Sequence, residues 1–184
     1  MSIRIQTVVI ISLFSYKSNL IIILSILNMD SNTIIEYAKL FEIKDFIGVF
    51  AIDELYLIPK RRTGLVIFNT DTSDSIGQHW IALCITKRKI LYFDSLVSQF
   101  QESSDFNKYM SNTNKELVWN KIQIQTYLSD KCGIHCLVFC YAMQKNRNKK
   151  DYENFLKAFL NSSIKERESL SVYYFNLIKQ SFNI

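Results

Sequence analysis

The run from Gly133 to Met143, Gly-Ile-His-Cys-Leu-Val-Phe-Cys-Tyr-Ala-Met, constrains the fold more than any other stretch, because nearly every side chain in it is apolar. A helix without a polar face is stable only when it is surrounded, so the rest of the chain has to pack around this one. A polar loop, Gln123 to Lys131, leads into it and delivers Cys132 to its first turn. Ser129 and Asp130 stand where their side chains can accept hydrogen bonds from the first free N–H groups of the helix. Those N–H groups and the helix dipole favour negative charge, so a thiolate at Cys132 is stabilised there.

Nearly half of the 184 residues are hydrophobic, and 13 Phe with 10 Tyr exclude disorder and supply one sizeable core. One Pro and four Gly leave little for linkers, and no repeat or low-complexity tract divides the chain. The net charge of +5 permits contact with nucleic acid or acidic surfaces without demanding it. Cys84, Cys132, Cys136 and Cys140 are not spaced as a disulfide framework, since three share one helix, and a reducing compartment is expected.

Residues 1–28 read as an apolar N-terminal extension. The runs Ile3 to Tyr16 and Leu20 to Leu27 are each too short to span a bilayer, no small-residue cleavage site follows them, and stable membrane association is not expected. Translation from Met29 accounts for them, because Asp30 then caps a helix carrying Ile34, Ile35, Tyr37, Ala38 and Phe41. The domain is accordingly placed at 30–184.

After that helix, Asp45 to Pro59 predicts only a loop with a short strand or turn. Strands are predicted at 65–69, 79–85 and 90–94, the last two forming a hairpin across Lys87-Arg88-Lys89, and a fourth at 117–125. Phe106 to Met110 predicts a short helix, and 151–160 and 164–179 two amphipathic helices, with 146–150 as a solvated loop.

The hairpin sets His79 and Asp94 at adjacent strand ends, while Gln125 precedes the cysteine loop. That pattern suits thiol-protease chemistry. His79 takes the Cys132 proton, Asp94 orients the imidazole, and the Gln125 amide with the Cys132 N–H holds an oxyanion. Gly133 keeps the backbone beside the nucleophile uncrowded, and Gln123, two positions from Gln125, is the competing amide. Cys132, Cys136 and Cys140 with His135 recur along one helix, but structural zinc sites draw paired ligands from turns. Cys84, Cys136 and Cys140 are therefore read as core, no metal is expected, and His135 is the lesser candidate for the base.

His79-Trp80, Tyr92-Phe93-Asp94-Ser95 and Gln125 seven positions before Cys132-Gly133 together resemble the adenovirus-type maturation proteases, the adenains. On Asn69-Thr70-Asp71 and on Gly48 to Leu55 the chain is most similar to the adenain-like proteases of Polinton or Maverick elements and adintoviruses. The resemblance covers Phe46 to Met143. It implies an α+β, papain-like cysteine protease core of adenain type, with a central antiparallel sheet packed on the nucleophile helix. That fold group is shared with the proteases of SUMO and other ubiquitin-like proteins. Asp94 stands where adenains usually carry Glu, and Lys131 stands where the ubiquitin-like protease branch favours Asp.

The function this implies is a cysteine endopeptidase of viral or transposon origin that processes capsid or core precursor proteins, located in the virion or in the host nucleus or cytoplasm. The alternative is removal of ubiquitin-like modifiers from host proteins, and a third is a non-catalytic binding domain, against which the intact set of site residues speaks. The sequence itself requires no cofactor. The resemblance implies an activating peptide or DNA, although no residue here identifies either.

Overall fold

The computed structural model describes residues 29–75, 77–98 and 103–184; the apolar extension at 1–28 lies outside the described residues. Helix α1, Ser31–Leu40, starts at Asp30, whose Oδ1 accepts from Thr33 N at 2.7 Å, so the expected cap is present. Strand β1, Phe46–Ala51, then leads through a 3-10 turn, Ile52–Leu57, to β2, Gly64–Asn69. The hairpin follows as β3, Trp80–Ile85, and β4, Lys89–Phe93. Helix α2, Ser104–Thr113, and strand β5, Glu116–Trp119, precede α3, Cys132–Met143. Helices α4, Lys149–Lys157, and α5, Ile164–Ser181, close the chain.

The strands form one sheet in the order β1-β2-β3-β4-β5. Its centre is antiparallel as expected, with Asn69 opposite Trp80 and Ala82 opposite Phe93, and both edge pairs, β1 with β2 and β4 with β5, run parallel. The parallel edges arise because the 3-10 turn and α2 each carry the chain back along the sheet before the next strand begins.

The central strands β2 and β3 have no polar face because the sheet is covered on both sides there. Leu65, Ile67, Trp80, Ala82, Cys84, Leu91 and Phe93 join the core built around α3, whereas Val66, Phe68, Ile81, Leu83, Ile85, Ile90 and Tyr92 join a second core with Phe106 and Tyr109 of α2. Helix α3 is buried almost throughout, wedged between the sheet and α5. Phe139 stacks on Phe93 with ring centroids 4.9 Å apart, fixing α3 against β4.

Three expectations need correction. The strand predicted over 117–125 ends at Trp119, because the next residue, Asn120, turns its side chain onto β4 and replaces the backbone ladder there. Helix α4 begins inside the stretch read as solvated loop, since Asn148 Oδ1 accepts from Asp151 N at 3.0 Å and starts it. Neither Ser129 nor Asp130 caps α3; the position before the helix is Lys131, and Ser129 Oγ accepts from Lys131 N at 3.3 Å.

Candidate active site

His79 is held from behind before its ring does anything. Thr70 N donates to His79 O at 2.9 Å, extending the β2–β3 pairing by one step past Trp80. The loop that precedes it is folded on Asn69, whose Oδ1 accepts from Asp71 N at 2.9 Å and from Gln78 N at 3.2 Å. Gly77, at φ +87°, passes so close to this amide that a Cβ there would lie 2.6 Å from Asn69 Nδ2. Only glycine combines that dihedral with that approach.

Asp94 is fixed just as tightly. Asn120 accepts from Asp94 N at 2.9 Å and donates to Asp94 O at 2.7 Å, imitating a neighbouring strand. The carboxylate is saturated: Oδ1 accepts from His79 Nε2 at 2.7 Å and Leu96 N at 2.8 Å, and Oδ2 from Ser98 N at 2.7 Å and Ser98 Oγ at 2.6 Å. Burial alone would raise its pKa, but the His79 hydrogen bond and charge, with those from Ser98, bring it below the usual carboxylate value.

Since Nε2 of His79 belongs to Asp94, Nδ1 is the nitrogen that remains for a second partner. The side chain of Cys132, the first residue of α3, lines the same cleft and is close enough to act on the ring. Burial works against the imidazolium, yet hydrogen bonds to Asp94 and Cys132 and their charges outweigh it, so the His79 pKa rises to about 9. The arrangement thus sets a thiol beside an imidazole that a carboxylate clamps.

The structure also brings Gln125 to this point. His79, Gln125 and Cys132 line one cleft of about 690 Å³, with Trp80, Tyr127 and Asp130 on its walls. Gln125 is buried, its Oε1 accepting from Ser95 Oγ at 2.7 Å and its Nε2 donating to Ser129 O at 2.6 Å. One N–H of the carboxamide remains beyond that bond. Gln123 does not line the cleft and instead donates to Gln125 O at 2.9 Å.

The other thiols and the second histidine stand apart. Cys84, Cys136 and Cys140 are buried; burial pushes Cys84 up to about 12 and raises Cys136 and Cys140 well above the ordinary value. His135 meets Ser171 Oγ at 2.8 Å, and its burial lowers it to about 3, which keeps it neutral and unsuited to be a base. Among the described residues no group of His, Cys, Asp and Glu could hold a metal, and no helix is long and apolar enough to cross a membrane. Asn120 and Ser98 escaped sequence reasoning, and Ser95 entered only within the stretch Tyr92-Phe93-Asp94-Ser95, with no role given to it. A polar residue inside the run read as a strand, as at Asn120, was the one available signal.

The α+β fold as a whole is similar to that of a solved protease. The chain is similar to the ASFV pS273R protease, with a TM-score of 0.51 and 14% identity over 79% of this chain and 65% of that one. The selenomethionine form of that protease gives 0.50 and 14% over 80% and 66%. ChlaDub1 from Chlamydia trachomatis gives 0.36 and 16% over 65% and 60%. The chain thus spans just under two thirds of the length of the ASFV pS273R protease. No protein-family model and no curated protein sequence matches it.

Proposed function

We propose that this chain is a cysteine endopeptidase of viral or transposon origin that cuts capsid or core precursor proteins during particle maturation. The observation that carries the reading is that His79, hydrogen-bonded to the buried Asp94 behind it, lines one open cleft together with Cys132 and Gln125.

In this reading the Cys132 thiol gives its proton to His79 and the resulting thiolate attacks the scissile carbonyl carbon. The oxygen becomes an oxyanion held by the Cys132 N–H and the second Gln125 N–H. His79 returns the proton to the leaving amine, which departs and leaves a thioester. Water then attacks the thioester carbonyl while His79 accepts a water proton, and collapse releases the acid and the Cys132 thiol. Asp94 keeps the ring oriented throughout.

The likeness of fold to a protease and the adenain-type order of His79, Asp94, Gln125 and Cys132 support the maturation role. An activating peptide or DNA, and a place in the virion or the host cell, belong to the same adenain-type resemblance. Removal of ubiquitin-like modifiers is the second reading, favoured by Tyr127 and Leu128, 78% and 101% exposed beside the cleft, where a folded body could dock.

The test pairs the wild type with Cys132→Ala. Short unfolded peptides with small residues, often Gly, beside the scissile bond are expected to be cut by the wild type alone. Ubiquitin or SUMO carrying a C-terminal electrophile is expected to react poorly. Rapid Cys132-dependent capture of such a probe without peptide cleavage overturns maturation in favour of the second reading; cleavage by Cys132→Ala overturns both.

A further inference from the structure

The loop that carries Gln125 and runs into Cys132 is fastened by one face of α5, a helix that no sequence motif ties to the site. Arg167 Nη1 donates to Gln123 O at 2.9 Å. Glu168 Oε2 accepts from Thr126 N at 2.9 Å and from Thr126 Oγ1 at 2.7 Å, while its Oε1 lies 3.2 Å from Lys131 Nζ. Thr126 follows Gln125 directly and Lys131 precedes Cys132 directly. One buried carboxylate therefore grips the residues adjoining both proposed oxyanion donors.

Helix α5 does not need this contact in order to be anchored, because Phe175 and Ile178 already seat it in the core. A buried carboxylate is costly unless it is fully engaged, and here its engagement is spent on the loop. Burial opposes the Glu168 charge, yet hydrogen bonds from Thr126, Ser129 and Lys131 hold its pKa at about 2. It stays ionised, and the loop stays gripped, throughout the neutral range.

We infer that Glu168 is a positioning residue: through Thr126 and Lys131 it sets the distance between the Gln125 carboxamide and the Cys132 N–H so that both reach one oxygen. The inference rests on the oxyanion role proposed for Gln125. Geometry of this kind matters, since a misplacement of about 1 Å in a reacting constellation can cost on the order of 100-fold in rate.

The test is a double-mutant cycle in the full chain, read where circular dichroism shows every variant folded. Glu168→Ala should lower kcat by roughly 10- to 100-fold with KM changed less than about twofold. Glu168→Gln should recover part of the rate, because an amide oxygen still accepts from Thr126. Acting through Gln125, the same change should cost less than about threefold when added to Gln125→Ala. Multiplying effects, or an unchanged kcat in Glu168→Ala, overturn the role. Should Glu168→Ala not fold, Thr126→Val removes one donor and carries the same cycle. If the wild type cuts no peptide, the proposed function fails separately. The grip is then scored by iodoacetamide: a several-fold change in the alkylation rate of Cys132 in Glu168→Ala, expected as an increase when the loop over the buried thiol is released, supports it, and an unchanged rate overturns it.

Discussion

His79 lies between a thiol and a carboxylate, and its raised pKa of about 9 sets where its proton is lost. A raised pKa means that the folded state holds the proton more tightly than the unfolded chain. The corresponding stability is complete below the ordinary value of about 6.5 and disappears as pH rises through about 9. The imidazolium needed to protonate the leaving amine follows the same course, so the alkaline limb of a kcat/KM profile should fall around pH 9. In Asp94→Asn the limb should move to lower pH as the carboxylate charge is lost, with residual turnover because the base persists. A limb that stays in place in that variant would show that Asp94 does not hold the His79 proton. Gln125→Ala should cost about 2.7–4 kcal/mol of transition-state stabilisation, and Gln123→Ala much less, checked by kcat/KM. His79, Asp94 and Cys132 were readable as candidates because each sits beside an element boundary that hydrophobic patterning locates, and Gln125, in the loop beyond β5, by its place seven positions before Cys132. Ser98 and Ser95 were not, because a hydroxyl in a polar loop has no pattern of its own.

At the level of elements, the patterning of the central strands and α3 was legible because burial on every side leaves only apolar residues. Where polar side chains replace backbone partners, pattern fails. Leu117 to Gln125 alternates like a strand, yet Asn120 is buried and substitutes its amide for the next ladder step. The same amide donates to Ile122 O at 3.1 Å, bending the chain out of the sheet toward the cysteine loop. Beyond it, Ile124 N and Gln125 N both reach Ser95 O, at 2.8 and 3.0 Å. Asn120 therefore both ends β5 and secures Asp94. Asn120→Ala would leave the buried Asp94 N–H and C=O without those partners, at about 1–3 kcal/mol for each group. Thermal unfolding should show a lowered Tm, and kcat should fall along with it because Asp94 loses its fixed backbone. An unfolding free energy within about 0.5 kcal/mol of wild type, the range of ordinary surface substitutions, would mean that water replaces the amide there.

Over the whole molecule, the core around α3 is closed at its N-terminal end by Met29. Its side chain is buried beside Ile34, and a Cβ on Gly133 would come within 2.9 Å of its own. Its carbonyl accepts from Trp80 Nε1 at 2.8 Å, tying it to the strand that follows His79. Met29 also lines the cleft, so the residue that closes the core borders the site as well. Asp30 then starts α1. None of the proposed site residues precedes Met29, and we predict that a chain beginning there folds and cleaves at least as well as the full chain. Beginning at Ser31 should be different in kind. That removal takes away a buried methionine worth about 1.5–3 kcal/mol, a cap worth about 1 kcal/mol, and the acceptor for a buried indole N–H, which costs about 1–3 kcal/mol to leave unpaired. Such a loss is a large share of the stability of a domain of this size. Urea unfolding of the two chains beside the full protein measures it: the Met29 chain should match the full-length midpoint and the Ser31 chain should fall well below it. Loss of folding already in the Met29 chain would show that residues 1–28 pack into the domain, and equal midpoints for all three would show that Met29 and Asp30 contribute nothing to closing the core.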